Sequence, residues 1–97
     1  MSFGLRTTEA YLAPLGYTQI ADLSAAVGLG TVPDGARIAL IHAETKDVRW
    51  RDDGTDPDAS TGMTLVAGAD FLYTGDFSAI KFIETAASAK LNVSYYK

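Results

Sequence analysis

The residues that could do chemistry in this chain are few, and the first is its only histidine, His42. A Ser-His-Asp triad would have to use this imidazole as its base, yet no nucleophile-elbow sequence accompanies it. The chain has no cysteine, which excludes a thiol nucleophile and a thiolate metal site. We therefore expect His42 to be structural, and we predict that the protein is not an enzyme and has no catalytic residues.

A second candidate is the acidic stretch that follows the only tryptophan. It contains four aspartates: Asp52, Asp53, Asp56 and Asp58. Carboxylates gathered in a loop suit calcium, but their spacing lacks the alternating acids, central glycine and distal glutamate of an EF-hand loop. The favoured interpretation is a solvated acidic turn that neighbours Arg49 and Arg51. We predict no metal and no cofactor, and calcium binding by this loop stays open as the alternative.

The other polar and aromatic patterns give weaker signals. Gly28-x-Gly30 lacks the Gly-Lys-Ser/Thr of a phosphate loop, so these are turn glycines. Four further acids form no recognisable pair for glycoside hydrolysis: Glu44, Asp70, Asp76 and Glu84. Tyr73, Tyr95 and Tyr96 could line a sugar-binding surface, although aromatic residues at strand spacing more often pack in a core or an interface.

The most informative segment is the run Val48-Arg49-Trp50-Arg51-Asp52-Asp53-Gly54. If it is a strand, Val48 and Trp50 share one face and the two arginines share the other, because side chains alternate along a strand. The Asp-Gly pair at its end favours a turn. The segment therefore predicts a large apolar anchor beneath two surface guanidinium groups.

The chain around this segment is patterned as short strands separated by turn residues. The predicted strands are 37–44, 47–52, 63–67, 69–74, 78–85 and 90–96. Residues 18–23 fit either a strand leading into a glycine-rich loop or a helix, and the following turn at Pro33-Asp34-Gly35 favours the strand. Such spacing indicates an all-β fold, an antiparallel β-sandwich or jelly-roll-like barrel of about seven or eight short strands.

We predict two parts, an N-terminal arm at residues 1–17 and a β-sandwich domain at residues 18–97. The arm mixes aromatic residues with glycine and proline, and Thr8 could cap a short helix over 8–12 that Pro14 would end. The expected core consists of large apolar residues on one face of the strands: Leu40, Trp50, Phe71, Ile80, Phe82, Leu91 and Val93.

Composition limits the class of partner. The 97 residues carry a net charge of −4, with eight lysines and arginines scattered along the chain. Binding to phosphates needs a clustered basic face, so we expect no nucleic-acid partner. No apolar run reaches membrane-spanning length, and the N-terminus lacks the pattern of a signal peptide. We therefore expect no membrane contact and assembly in the cytoplasm.

Six segments occur in order along residues 32–96. They are Val32-Pro33-x-Gly35-Ala36, Val48-Arg49-Trp50-Arg51-Asp52-Asp53-Gly54-Thr55, Gly62-Met63, Tyr73-x-Gly75-Asp76, Ser78-Ala79-Ile80-x-Phe82-Ile83 and Ala89-x-Leu91-Asn92-Val93-Ser94-Tyr95-Tyr96. Together they resemble a family of small structural proteins in the virions of tailed bacteriophages. The resemblance covers roughly two thirds of the chain, which the ordered segments span.

The resemblance implies a non-enzymatic building block of the particle, either a capsid decoration (cement) protein or a small neck or tail component. The implied partners are major capsid or neck and tail proteins and further copies of this chain. The implied location is the virion, after assembly in the host cytoplasm. Because virion proteins occupy repeated sites, a symmetric or lattice-bound homo-oligomer is expected. The alternative function is a carbohydrate- or receptor-binding module of the tail.

Overall fold

The computed structural model describes residues 12–97, which form seven strands and no helix. The strands are β1 (Pro14–Ile20), β2 (Ile38–Glu44), β3 (Val48–Arg51), β4 (Met63–Leu65), β5 (Asp70–Tyr73), β6 (Lys81–Glu84) and β7 (Lys90–Tyr96). They pair antiparallel in two sheets, one of four strands and one of three. The predicted all-β sandwich is confirmed.

The larger sheet has the order β1-β7-β2-β5, and the smaller sheet has the order β4-β3-β6. The strand predicted at 37–44 was expected to be central, and β2 does lie between two neighbours. Its Ile41 pairs with Val93 of β7 on one side and with Phe71 of β5 on the other. Both faces of β2 carry apolar residues, which is the pattern of a strand inside a sheet.

Alternation along the strands decides which side chains enter the core. On β7, Leu91, Val93 and Tyr95 are buried, and the residues between them are more exposed, as predicted. Ile80, directly before β6, and Phe82 within β6 are fully buried as well. Four of the seven expected core residues are therefore buried: Ile80, Phe82, Leu91 and Val93.

The remaining three expected core residues differ in their environment. Trp50 and Phe71 are half-buried and pack against the core. Leu40 was wrongly assigned to the core, because the inward positions of β2 are taken by its neighbours Ala39 and Ile41 and by Ala43. Leu40 therefore lies on the outer face of the larger sheet, opposite Leu72 and Ser94.

The segment that fitted either a strand or a helix begins inside β1, at residues 18–20, and its continuation covers an edge of the smaller sheet. Val27 exchanges two backbone hydrogen bonds with Phe82, at 2.9 and 2.8 Å, and Glu84 donates to the carbonyl of Leu23 at 2.9 Å. Leu23 and Leu29 are buried. This segment is therefore extended and packed on β6, which supports the strand-and-loop interpretation over the helix. The turn predicted at Pro33-Asp34-Gly35 is present, with Gly35 at φ +82°.

The boundary predicted between an arm and the domain falls inside a strand. β1 begins at Pro14 and pairs with β7, and Ala13 exchanges backbone hydrogen bonds with Lys97 at 3.1 and 3.0 Å. Residues 13–17 therefore belong to the sheet, although Pro14 and Gly16 had suggested an irregular arm. These residues are accommodated at a register shift between Pro14 and Gly16. The helix considered at 8–12 lies outside the described residues except for Leu12.

No helix within residues 12–97 is long and apolar enough to cross a membrane.

Candidate binding surfaces

β3 presents Arg49 and Arg51 on the outer face of the smaller sheet, as its alternation predicts. Arg49 does not extend into solvent. It donates from Nη1 to the carbonyl of Gly62 at 2.9 Å and from Nε to the carbonyl of Ala59 at 3.2 Å. The guanidinium group therefore fixes the end of the long loop that joins β3 to β4.

Arg51 forms a two-point contact with Asp53, at 3.0 and 2.6 Å. This contact raises the pKa of the Arg51 guanidinium and lowers the pKa of the Asp53 carboxyl. Farther along the loop, Asp56 lies 3.5 Å from the ammonium group of Lys81. Of the two arginines of β3, only Arg51 is therefore paired with an acid of this turn.

The loop between β3 and β4 covers the outer face of the smaller sheet. Pro57 is buried within it, and Gly62 closes it at φ +140°. A Cβ at Gly62 would lie only 3.1–3.2 Å from the carbonyl oxygen of Trp50 and from side-chain atoms of Arg49 and Pro57. Glycine is therefore required where the loop returns to the sheet.

The four aspartates considered for calcium each have a different partner. Asp52 accepts from the hydroxyl of Tyr73 at 2.8 Å, while Asp58 accepts from the backbone N–H of Ser60, which lowers the pKa of its carboxyl. Across residues 12–97, no three side chains of His, Cys, Asp or Glu are grouped as a metal site needs. The described loop is thus held by hydrogen bonds and ion pairs within the chain.

Five aromatic side chains form a continuous series across the interior. They are Trp50, Phe71, Tyr73, Phe77 and Tyr95, with successive ring centroids 5.2, 6.4, 5.9 and 6.1 Å apart. Trp50 and Phe71 are stacked with an interplanar angle of 13°, and this pair connects the two sheets. Such aromatic contacts contribute beyond their buried area.

The interior position of this series corrects the tyrosine hypothesis for sugar binding. Tyr73 and Tyr95 are 6% and 1% exposed and therefore cannot line a surface. Burial and the bond to Asp52 raise the pKa of Tyr73 to about 12. Burial also raises the pKa of Tyr95, whose hydroxyl has no hydrogen-bond partner among the described residues. Tyr96 lies on the opposite, outer face of β7 and is half-buried.

An open hollow of about 550 Å³ lies beside Trp50. It is lined by Trp50, Arg51, Asp52, Asp53, Thr61, Gly62 and Met63. Met63 is 60% exposed, although it pairs with Trp50 across β3 and β4. We call this feature the Trp50 hollow. It combines an aromatic and a thioether side chain with charged groups.

The outer face of the larger sheet is the second surface. The register places Tyr17, Ser94, Leu40 and Leu72 in one row across its four strands. Tyr17 is 64% exposed and Leu72 is 61% exposed. Ile38 and Tyr96 form the adjacent row and are half-buried. We call the five apolar or aromatic side chains of these rows the outer patch: Tyr17, Ile38, Leu40, Leu72 and Tyr96.

Polar residues occupy the other half of the same face. The amide oxygen of Asn92 accepts from the Tyr17 hydroxyl at 2.6 Å and from Gln19 at 3.0 Å, and its amide nitrogen donates to Glu44 at 2.9 Å. His42 lies in this region, with Nδ1 3.9 Å from a carboxylate oxygen of Asp70. That separation exceeds hydrogen-bond length, so His42 and Asp70 do not form the orienting contact of a triad.

A third feature is a cleft of about 710 Å³ at the end of the larger sheet. It is lined by Leu12, Ala36, Arg37, Ile38, Thr74, Gly75, Phe77 and Lys97. Neither this cleft nor the Trp50 hollow includes His42.

Sequence reasoning missed both the outer patch and the role of Asp52. The alternation of β2 and β5 could have indicated that Leu40 and Leu72 share an outward face. The Tyr73–Asp52 bond joins a strand of the larger sheet to the loop after β3, between residues 21 positions apart, and no local pattern in the sequence indicates it.

No family model, curated protein or solved structure matches this chain.

Proposed function

We propose that this protein is a non-enzymatic structural component of a tailed-phage virion, with capsid decoration as its leading position in the particle. Its partners would be the major capsid protein, or neck and tail proteins, and further copies of itself. The ordered motifs between Val32 and Tyr96 support this proposal through their resemblance to small virion proteins. The structural support comes from the outer patch.

The outer patch is apolar where an antiparallel sheet that faces solvent normally carries polar side chains. Tyr17 and Leu72 are mostly exposed, and Leu40 lies between them in the same row. Contiguous apolar side chains on a surface mark sites of protein contact. This patch is the observation that carries the proposal, because a lattice component acts by repeated contacts rather than by chemistry.

The two outer faces of the sandwich differ in how they are covered. The smaller sheet is covered by the loop that Arg49 and Gly62 hold in place. The described residues place no corresponding loop over Leu40 and Leu72. Within residues 12–97, the outer face of the larger sheet is therefore free to dock on a neighbouring protein, and such a contact would stabilise the folded chain.

The proposal is tested with particles that lack this protein and are then incubated with the purified chain. Cryo-EM of the reconstituted particles should show it at repeated positions. Leu72→Asp should abolish incorporation, because it buries a charge at the contact. Its matched control is Val66→Asp, which places the same charge at a residue 53% exposed in the turn between β4 and β5.

Both variants should melt at the wild-type temperature, because neither residue is in the core. If Leu72→Asp and the wild type were incorporated equally, the outer patch would not be the surface that contacts the particle. Absence of the protein from purified particles would reject the virion function altogether.

The alternative, a carbohydrate- or receptor-binding module of the tail, has lost two of its three proposed tyrosines to the core. Of those three, Tyr96 remains on a surface, and the exposed Tyr17 lies on the same outer face. Glycan-array binding that depends on these two side chains would favour the alternative over the structural function.

A further inference from the structure

The Trp50 hollow combines an apolar lining with one negative charge that has no cationic partner among the described residues. Asp53 is neutralised by its two-point contact with Arg51. Within residues 12–97, the Asp52 side chain accepts a hydrogen bond only from the neutral hydroxyl of Tyr73, and no ion pair of this part of the chain includes it. The hollow therefore presents a carboxylate that no lysine or arginine of residues 12–97 neutralises.

The lining of the hollow is held in place before any ligand binds. The indole of Trp50 stacks on Phe71 and meets the edge of Tyr73 at a centroid distance of 6.2 Å. The same Tyr73 is buried and directs its hydroxyl to the carboxylate of Asp52. Side chains that are already ordered lose little freedom on binding, which favours affinity.

The size and composition of the hollow indicate the class of ligand. Its volume of about 550 Å³ admits a side chain or a small molecule. An anionic group would be repelled by Asp52. A purely apolar group would satisfy Trp50 and Met63 but would remove the Asp52 carboxylate from water without a partner. A cation on an apolar stem satisfies both, because it pairs with the carboxylate and also interacts with the indole ring.

We propose that the Trp50 hollow binds a basic side chain, arginine or lysine, presented by a partner protein. The charged head pairs with Asp52, and the methylene stem lies along Trp50 and Met63. Arginine is the better fit, since its planar guanidinium can stack on an aromatic ring while it donates to a carboxylate. This inference does not depend on a virion function, and the site is separate from the outer patch.

The test uses the full chain and two blocked tripeptides, acetyl-Gly-Arg-Gly-amide and its citrulline counterpart. Citrulline has nearly the shape of arginine but carries no charge. Trp50 is the only tryptophan, so its fluorescence reports directly on the hollow. The arginine peptide should produce a saturable change in fluorescence, with an affinity about tenfold above that of the citrulline peptide. Added salt should weaken the binding of the arginine peptide but not the binding of the citrulline peptide.

Asp52→Asn isolates the charge, because the amide oxygen can still accept from Tyr73. This variant should bind the arginine peptide about as weakly as the citrulline peptide, a loss of about tenfold. Asp34→Asn is the matched control, since Asp34 is exposed and does not line the hollow. It should bind both peptides as the wild type does, and both variants should keep the wild-type melting temperature.

Three results would overturn the proposal: equal binding of the arginine and citrulline peptides, unchanged binding by Asp52→Asn, or no saturable change with either peptide. Saturable binding of a neutral methyl glucoside in place of the arginine peptide would assign the hollow to a sugar. Failure of the particle reconstitution would leave these results unaffected, so the two proposals can fail separately.

Discussion

At the residue scale, the half-buried Trp50 and the buried Tyr73 do most to connect the two sheets. Trp50 stacks on Phe71 of the larger sheet, and Tyr73 of the larger sheet reaches Asp52 beyond the end of β3. Gly75 lies against the Tyr73 ring, and a Cβ there would overlap the Tyr73 hydroxyl. The link between the two sheets therefore depends on the identity of Trp50, Tyr73 and Gly75.

Trp50→Ala should lower the free energy of unfolding by about 3 kcal/mol, the lower end of the range for large aromatic deletions, because Trp50 is only half-buried. Equilibrium unfolding in urea, followed by circular dichroism, measures this loss. Met63→Ala, at a neighbouring position that is 60% exposed, is the control and should cost much less. A Trp50→Ala protein as stable as the Met63→Ala protein would show that the stacking contributes nothing.

The raised pKa of Tyr73 predicts a loss of stability in alkali. Its pKa is about 12 in the folded chain and 10.0 as the ordinary value, so the folded state favours the neutral phenol. The contribution of Tyr73 is therefore fully present below pH 10 and is lost as the pH rises toward 12. Urea unfolding of the wild type and Tyr73→Phe at several pH values measures this. Parallel pH profiles for the two proteins would refute the prediction.

At the element scale, β3 and its following loop form a unit in which the two arginines differ. In the sequence, Arg49 and Arg51 are equivalent surface groups of one strand face. The structure assigns Arg49 to two loop carbonyls and Arg51 to a single exposed carboxylate. The first contact fixes the loop over the smaller sheet, and the second closes a local turn.

Arg49→Ala should therefore cost about 1–2 kcal/mol, because it leaves two carbonyl groups without a charged donor. Arg51→Ala should leave the free energy of unfolding nearly unchanged, since exposed ion pairs contribute little. Urea unfolding of the two variants measures the difference. An Arg51→Ala protein less stable than Arg49→Ala would mean that the loop is not held by these carbonyl contacts.

At the scale of the whole molecule, the two sheets share one core and should unfold together. Ile41 of the larger sheet is fully buried, as are Val48 and Phe82 of the smaller sheet. Ile41→Ala should lower the free energy of unfolding by about 2–5 kcal/mol. Such a loss is a large share of the stability of a small domain.

The cooperative unfolding can be measured with two probes. Trp50 fluorescence reports on the smaller sheet, and circular dichroism reports on all strands. For Ile41→Ala the two transitions should shift together, because a single-domain core usually unfolds in one step. Separate transitions, with Trp50 unaffected by the change at Ile41, would show that the sheets are independent.

The amino-acid sequence by itself determined the class of fold and the position of most strands. Alternation on β7 and on β5 assigned inward and outward residues correctly, because side chains of a strand necessarily point to opposite faces. The turn at Pro33-Asp34-Gly35 followed from proline and glycine chemistry. These are local constraints, and local sequence is sufficient to show them.

Only the tertiary structure decided which apolar side chains are buried in the core and which polar side chains form hydrogen bonds with each other. Leu40 and Ile41 are similar in hydrophobicity, yet the packing of β2 against the smaller sheet buries Ile41 and leaves Leu40 outside. Residues 14–17 looked irregular in the sequence, but pairing with β7 makes them part of β1. The contact of Tyr73 with Asp52 likewise joins distant residues. Each outcome depends on strand pairing across the sandwich, which no single segment of the sequence encodes.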